Sequence, residues 1–457
     1  MTGAELTLTD EVLRFVEETR FADLEPLAAE RAAAAIADCL AVTFLGAASE
    51  VGTTVLAALR ASGALGGEHP LLGTGETANV LDAALFNGAA AHALDFDDIN
   101  HPGPMHPSCH LVPALLGADA IAPASGQDWI TAFAIGFELD AKLGLLLNPQ
   151  HYARGWHATS TLGVIGAAAT VARVLGLDRN QTEHCLAIAG SGAAGLRGNI
   201  GSMTKPLHAG AAARSALLAG LLAREGMTGR EQIFDVPHGY LAAFSESREL
   251  RTELIRELGR KWEITTEFGL GLKPFACCGE ATSAVEAALS IFAEAGGAEV
   301  THVRVATNEH STRILAFTDP RTVEQARFSL QFCVAAPLVL GRADPDVFAD
   351  ETLADTRVRD LMGRVEHVVD PVHGGEREFG AVVEATLADG RVLTRDIPVV
   401  KGWSHRFLTT DEQRAKFVAC TRDRMSEQDA GELFDLIVNV ARLDDTNVLR
   451  ARLHGVR

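Results

Sequence analysis

The segment DFDDINHPGPMHPSCH, from Asp95 to His110, gathers three carboxylates, three imidazoles and three prolines. Pro102, Pro104 and Pro107 exclude a continuous helix through it. Asp95, Asp97 and Asp98 with His101 and His106 are the residue types of a divalent-metal site, of an acid–base site, or of an ordinary polar loop. Acid–base chemistry needs a carboxylate and an imidazole held near one substrate carbon. The prolines favour that reading, because they restrain the backbone before any substrate arrives.

Three further stretches carry groups that could complete such a site. In RGWHATS (154–160), His157 stands just before Thr and Ser residues suited to capping a long helix. The backbone N–H groups of a helix start attract anions, so an imidazole there suits a carboxylate. In GNIGSMTKPLHAG (198–210), Lys205 sits among apolar and small neighbours and precedes a helix expected to begin near His208. Such a lysine is a cation for an anionic ligand or a snorkelling surface side chain. In GLGLKPFACCGEATSAVEAAL (269–289), Lys273 again precedes a proline. Cys277 and Cys278 read as small buried hydrophobes rather than nucleophiles. No phosphate loop, serine-hydrolase elbow or C-x-x-C pair occurs, which argues against nucleotide, acyl-serine and cysteine-ligated metal chemistry.

These groups need a scaffold, and the pattern from residue 8 to about 265 is helical. Stretches 27–46, 128–147, 159–177 and 208–226 are Ala-rich and apolar on most faces, which predicts a buried bundle. After about 267 the texture changes. VTHVRVATNEHS (300–311) alternates like a strand, and AVVEATLADGRVLTRDIPVV (381–400) is two alternating runs joined at Asp389-Gly390, a hairpin signal. A helical run (283–297) precedes them. The charged helical tail after about 405 needs an apolar surface to cover. The chain is therefore expected to be mostly α: an all-helical bundle domain from 1–267 and 405–457, and a smaller α+β domain from 268–404.

Net charge is -20, so the surface repels phosphate backbones and nucleic acid is not an expected partner. The first twenty residues carry Glu5, Asp10, Glu11, Glu17 and Glu18 and no apolar core, so no secretory signal is expected. No uninterrupted apolar run reaches a membrane span, and seven scattered cysteines suit a reducing cytoplasm.

Together the motifs resemble the MmgE/PrpD family. The matching pieces are NGAAAHALDFDD (87–98), HPS (106–108), GWHATSTLGVIGAAA (155–169), MTKPLHAGAAARSALLAGLLA (203–223) and KPFACCG (273–279). The resemblance implies a homodimer with its site in a cleft between an all-helical and an α+β domain. It implies action on di- or tricarboxylates without a cofactor or metal, as in 2-methylcitrate dehydratase, cis-aconitate decarboxylase and iminodisuccinate epimerase. It maps the catalytic set to Asp95, His106, His157, Lys205 and Lys273, with His101, His208 and Gln331 as substrate contacts. Three stretches depart from the pattern: Ile99 replaces a Thr, SLQF places Gln331 and Phe332 where a Tyr is usual, and Ala281-Thr282 replaces a Thr-His pair.

The shared chemistry is negative charge formed beside a carboxylate. Asp95 or His106 is the expected base, and burial would raise a carboxylate into a useful range. Lys205 and Lys273, arriving from opposite walls, are expected to clamp separate carboxylates. The first expectation is a hydratase or dehydratase on a citrate-like acid. An epimerase or decarboxylase on a related acid is the alternative, and a polyacid-binding protein without catalysis is the reading of another class.

Overall fold

Alanine and glycine allow helices to approach closely, and the helical part of the chain is built on that. The computed structural model describes residues 6–245, 250–370 and 379–456; the first five residues, Glu5 among them, lie outside the described residues. Helices Pro26–Gly46, Val80–His92, Ser108–Ile121, Gly126–Leu147, Gly163–Leu175 and Thr204–Arg224 pack on one another around a core of Ala, Leu, Val and Phe side chains. One close crossing joins Val80–His92 to Thr204–Arg224. A Cβ on Gly210 would meet the carbonyl oxygen of Leu85 at 2.0 Å, and one on Gly88 would meet the Cα of Gly210 at 2.7 Å. The two backbones therefore touch, which holds the chain just beyond His92 against the first turn of Thr204–Arg224.

Several boundaries differ from the sequence-based expectation. Helix Gly126–Leu147 starts two residues before the expected stretch 128–147: Ser125 caps it, and Asp128 closes the reciprocal capping box. Thr159 and Ser160 lie within the short helix Ala158–Thr161, which His157 precedes as N-cap without a side-chain cap. Helix Thr204–Arg224 begins four residues before His208 and carries Lys205 in its first turn. The expected all-helical stretch also contains a small antiparallel ribbon, Leu65–Pro70 (β1) with Thr77–Ala78 (β2). The stretch Ala158–Leu175 is long and apolar enough to cross a membrane by composition, though polar residues interrupt it; 89% of it is buried inside the protein, as a core helix requires.

The smaller α+β part holds a four-stranded sheet. Its strands are Val300–Thr307 (β3), Val365–Val369 (β4), Ala381–Leu387 (β5) and Val392–Ile397 (β6), in the order β4-β3-β5-β6. Only β3 and β4 run parallel. Gly390, with φ +87, turns the β5–β6 hairpin as the Asp-Gly pair predicts. Helix Thr282–Ala295 covers β5 and β6, and helix Leu330–Leu340 packs on that helix. The chain is thus mostly α, with a smaller α+β part. The tail helices Thr410–Thr421 and Glu427–Val438 pack on Pro26–Gly46.

Candidate active site

Asp95 lies just beyond helix Val80–His92 with φ 51, in the left-handed region that an Asp enters at a cost. The turn aims its carboxylate at the start of helix Thr204–Arg224. Lys205 Nζ donates to Asp95 Oδ1. Lys273 Nζ donates to Asp95 Oδ2 at 2.7 Å and to its main-chain oxygen at 2.8 Å. Burial pushes the Asp95 carboxyl up, but Lys205 and Lys273 outweigh it and hold the group well below the usual range. Burial likewise opposes charge on Lys273, and Asp95 more than restores it.

The proline-rich segment is tied down on both sides. Ile99 and Gly271 exchange backbone hydrogen bonds of 2.9 and 2.8 Å, and Asn100 and Met105 close a small antiparallel turn. The Asn100 amide donates to Gly269 at 2.8 Å, which joins the segment to the run that carries Lys273. Lys416, on tail helix Thr410–Thr421, reaches the same place. Its Nζ donates to the carbonyls of Phe96 at 2.8 Å and Lys273 at 2.9 Å, and pairs with Asp38 of Pro26–Gly46 at 2.7 Å. One buried cation therefore pins the Asp95 turn and the Lys273 turn together.

Behind Asp95 stands a line of imidazoles. His92 Nδ1 lies 2.8 Å from Asp97 Oδ2, and His106 Nδ1 lies 3.5 Å from the same oxygen, a long contact without hydrogen-bond alignment. The other ring nitrogen of His106, Nε2, is 3.8 Å from Asp95 Oδ1. Burial and the two lysines lower His106, against the upward pull of Asp97, so its neutral form prevails at neutral pH. Burial lowers His92 to about 3 and takes His157 well below its ordinary value. A neutral imidazole beside an anchored anion, with one nitrogen turned to Asp97 and the other to the cavity, is arranged to take a proton.

The cavity holds about 60 Å³ and adjoins a second, here called the vestibule, of about 480 Å³; His101, Pro104, Tyr152, Glu280 and His310 line both. Asp95, His101, His106, His157, Lys205 and Lys273 all line the inner part. His101 also lines the vestibule, with its ring centroid 4.6 Å from that of Phe379. Two expected substrate contacts do not line the cavity. His208 stands one ring further back, Nδ1 to Nδ1 3.0 Å from His157, where it orients that imidazole. Gln331 is buried in helix Leu330–Leu340; Ser329 caps this helix, and the cavity-lining side chain from the segment is Phe328. The expected raised carboxylate base is also corrected: paired with two lysines, Asp95 is a fixed anion. The lysines share this one carboxylate instead of standing apart. Each ammonium has three N–H donors, so donors remain for a ligand.

Other residues of the site escaped the sequence reading. Tyr152 lines both inner cavity and vestibule, and burial raises its hydroxyl to about 12. Glu280 and His310 also line both. Cys278 faces the cavity, but burial raises its thiol, which makes it a poor nucleophile. Among the described residues, His92, Asp97 and His106 form the group able to offer a metal three donors within 4.8 Å. This set differs from the five-residue set suggested by sequence, because lysines occupy Asp95 and Ser108 holds Asp98.

A helical bundle joined to a small α+β part, with a lysine-bound aspartate and neutral histidines at a cavity, has counterparts among known proteins. The family models place the chain: MmgE/PrpD N-terminal domain matches residues 10–253 and MmgE/PrpD C-terminal domain matches 275–441, so this protein belongs to the MmgE/PrpD family. The second match runs through helices that pack on the bundle. Among curated relatives, cis-aconitate decarboxylase of Homo sapiens is 26% identical over 386 residues, covering 82% of this chain and 79% of the relative. The 2-methylcitrate dehydratase of Cupriavidus necator is 27% identical over 347 residues, covering 68% of each. That of Escherichia coli (strain K12) is 24% identical over 410 residues, covering 78% of this chain and 82% of the relative.

Proposed function

We propose that this chain is a cofactor-independent lyase that forms negative charge beside a carboxylate of a small di- or tricarboxylate. The observation that carries the reading is the position of His106. Its Nε2 faces a cavity whose opposite charges are an aspartate already bound by two lysines. A substrate carboxylate takes up the spare N–H donors of Lys205 and Lys273, and His106 Nε2 removes the proton from the adjoining carbon. The lysines then stabilise the enediolate-like charge, where preorganised donors have their largest effect. Asp97 steadies the imidazolium as it forms. In a dehydration, the first reading, the C–O bond to the hydroxyl on the neighbouring carbon then breaks as the C=C bond forms, and the hydroxyl takes the proton held on His106 and departs as water. Decarboxylation is the second, favoured by the cis-aconitate decarboxylases among the relatives. The family resemblance extends the proposal to a cytoplasmic homodimer.

The test is proton NMR in deuterium oxide with a panel of di- and tricarboxylates. Deuterium at the carbon next to a carboxylate, with or without net conversion, is the expected result. Binding without exchange across the panel would reduce the protein to a polyacid binder, and neither binding nor exchange would defeat the reading.

A further inference from the structure

Behind the cavity, His92, Asp97 and His106 each bring a donor atom to within 4.8 Å of the other two, and all three side chains are buried. His92 Nδ1 and His106 Nδ1 stand 2.8 and 3.5 Å from one oxygen, Asp97 Oδ2. Bonds of about 2.0–2.1 Å at the tetrahedral angle put the ligands of a zinc ion about 3.3 Å apart, between those two separations. Two imidazoles and a carboxylate are a donor set that such an ion accepts, with water in its fourth position.

Bonding within the cluster leaves polar atoms unspent. His106 Nδ1, His92 Nε2 and Asp97 Oδ1 are buried without a hydrogen-bond partner among the described residues. His106 Nδ1 nevertheless points into the cluster, toward Asp97. Ligation requires neutral imidazoles, and burial holds both rings in that form at neutral pH. With its proton on Nε2, His92 has Nδ1 free to ligate. His106 also lines the cavity, which gives an ion its way in. Lys205 bears on both rings and Lys273 on His106. These two cations oppose a third, so the site holds its ion less tightly than a permanent structural one and releases it.

Occupation has a consequence for proton transfer. A neutral imidazole carries one proton. While His106 serves as base, that proton sits on Nδ1, toward Asp97, and Nε2 is open to the cavity. A metal on Nδ1 moves the proton to Nε2, which can then accept no other. We infer that His92, Asp97 and His106 form a reversible site for a zinc-like divalent cation, and that filling it switches the enzyme off by fixing His106 with its proton on Nε2. The switch rests on reading His106 as the base; the metal site does not.

The test loads the full chain with Co²⁺, whose tetrahedral complexes absorb visible light far more strongly than octahedral ones, and titrates it with Zn²⁺ by calorimetry. The expected result is one tetrahedral cobalt per chain, displaced by zinc. Deuterium exchange into the acid should be lost at a fixed free zinc concentration and restored by a chelator. His92→Gln removes one ligand and leaves His106 in place. It should weaken zinc binding by about tenfold or more, since even groups that only support a ligand are worth that much. Asp97→Asn, read for zinc affinity alone, takes its place if His92→Gln fails to fold. No tetrahedral cobalt, or an unchanged zinc affinity in the folded variant, overturns the site. Full exchange by the zinc-loaded protein overturns the switch. Neither result touches the lyase reading. If the metal-free protein exchanges no acid, that reading falls and takes the switch with it, and the binding measurements decide the site on their own.

Discussion

Two buried His–Asp pairs sit within one chain and differ in what surrounds them. His92 meets Asp97 at 2.8 Å, and His110 meets Asp140 at 2.7 Å; all four side chains are fully buried. At Asp140, burial raises the carboxyl, and His110 only partly offsets it. At Asp97, burial also pushes upward, but His92 and His106 together take the group well below its ordinary value. Asp98, paired with no imidazole and held by Ser108, is pushed by burial to about 8. The number of neighbours able to become cations, rather than depth, orders these three aspartates. Only the pair with a second imidazole backs onto the cavity.

The other pair is sealed in helix packing. A Cβ on Gly163 would meet the His110 ring at 2.4 Å, and one on Gly166 would meet Asp140 Oδ1 at 2.2 Å. Helix Gly163–Leu175 thus approaches through two glycines and leaves no room for a ligand. One pair supports a proton-transfer group and the other joins helices.

The largest expected effect separates His106 and His110, two of the three histidines of the proline-rich segment. His106→Asn should reduce turnover by about 10²–10⁴-fold, the usual contribution of a positioned acid–base group, with the melting temperature held. His110→Asn should lower the melting temperature instead. Steady-state rates and thermal melts on both variants decide it, and near wild-type turnover in His106→Asn would remove that residue from the mechanism.

Replacing Lys205 or Lys273 by Met should cost roughly 10- to 150-fold in substrate affinity through loss of one charge-assisted contact. Turnover should fall as well, because Asp95 loses a partner and its carboxyl rises. Since both lysines hold the same carboxylate, the double variant should fall short of the summed effects. A single variant that matches the wild type in both affinity and rate would make that lysine a structural group like His110.

Asp97→Asn should lower turnover about tenfold or more, from the loss of a charge-assisted interaction. Asp97 pulls His106 upward, so its removal should move the acid limb of the rate profile to lower pH. Asp140→Asn should leave that limb in place while reducing stability by roughly 1–3 kcal/mol. A limb that moves equally in both variants would erase the distinction between the pairs.

The effect furthest from turnover concerns Asp98. In the fold it keeps a proton up to about 8, whereas the unfolded chain releases it near pH 4. The folded state therefore binds more protons across that window, and stability falls as pH rises through it, by at most about 1.4 kcal/mol per pH unit. Asp98→Asn should flatten this part of the stability curve relative to wild type, as followed by denaturant melts at several pH values. An unchanged slope would place Asp98 among the ordinary carboxylates.

Much of the fold was written in local pattern. Runs of Ala and Leu set the helices, approximate alternation set β3, β5 and β6, and Asp389-Gly390 set the hairpin, because each depends on residues a few positions apart. The same holds for the residue types at the cavity, since Asp95, His106, His157, Lys205 and Lys273 sit in short motifs that the sequence displays. What the sequence could not display is how those groups divide their work. His106 and His110 are four positions apart in one segment, and only packing turns one to a cavity and the other to Asp140. Lys416 is 320 residues from Phe96, yet its ammonium closes on that carbonyl. That two lysines would neutralise one aspartate, and that Glu280 would line the same cavity, depended on buried side chains from distant segments meeting. The sequence determined the elements and the kinds of group available. Tertiary structure alone decided the charge state of each, because buried electrostatics depends on distances that neighbours in sequence do not set.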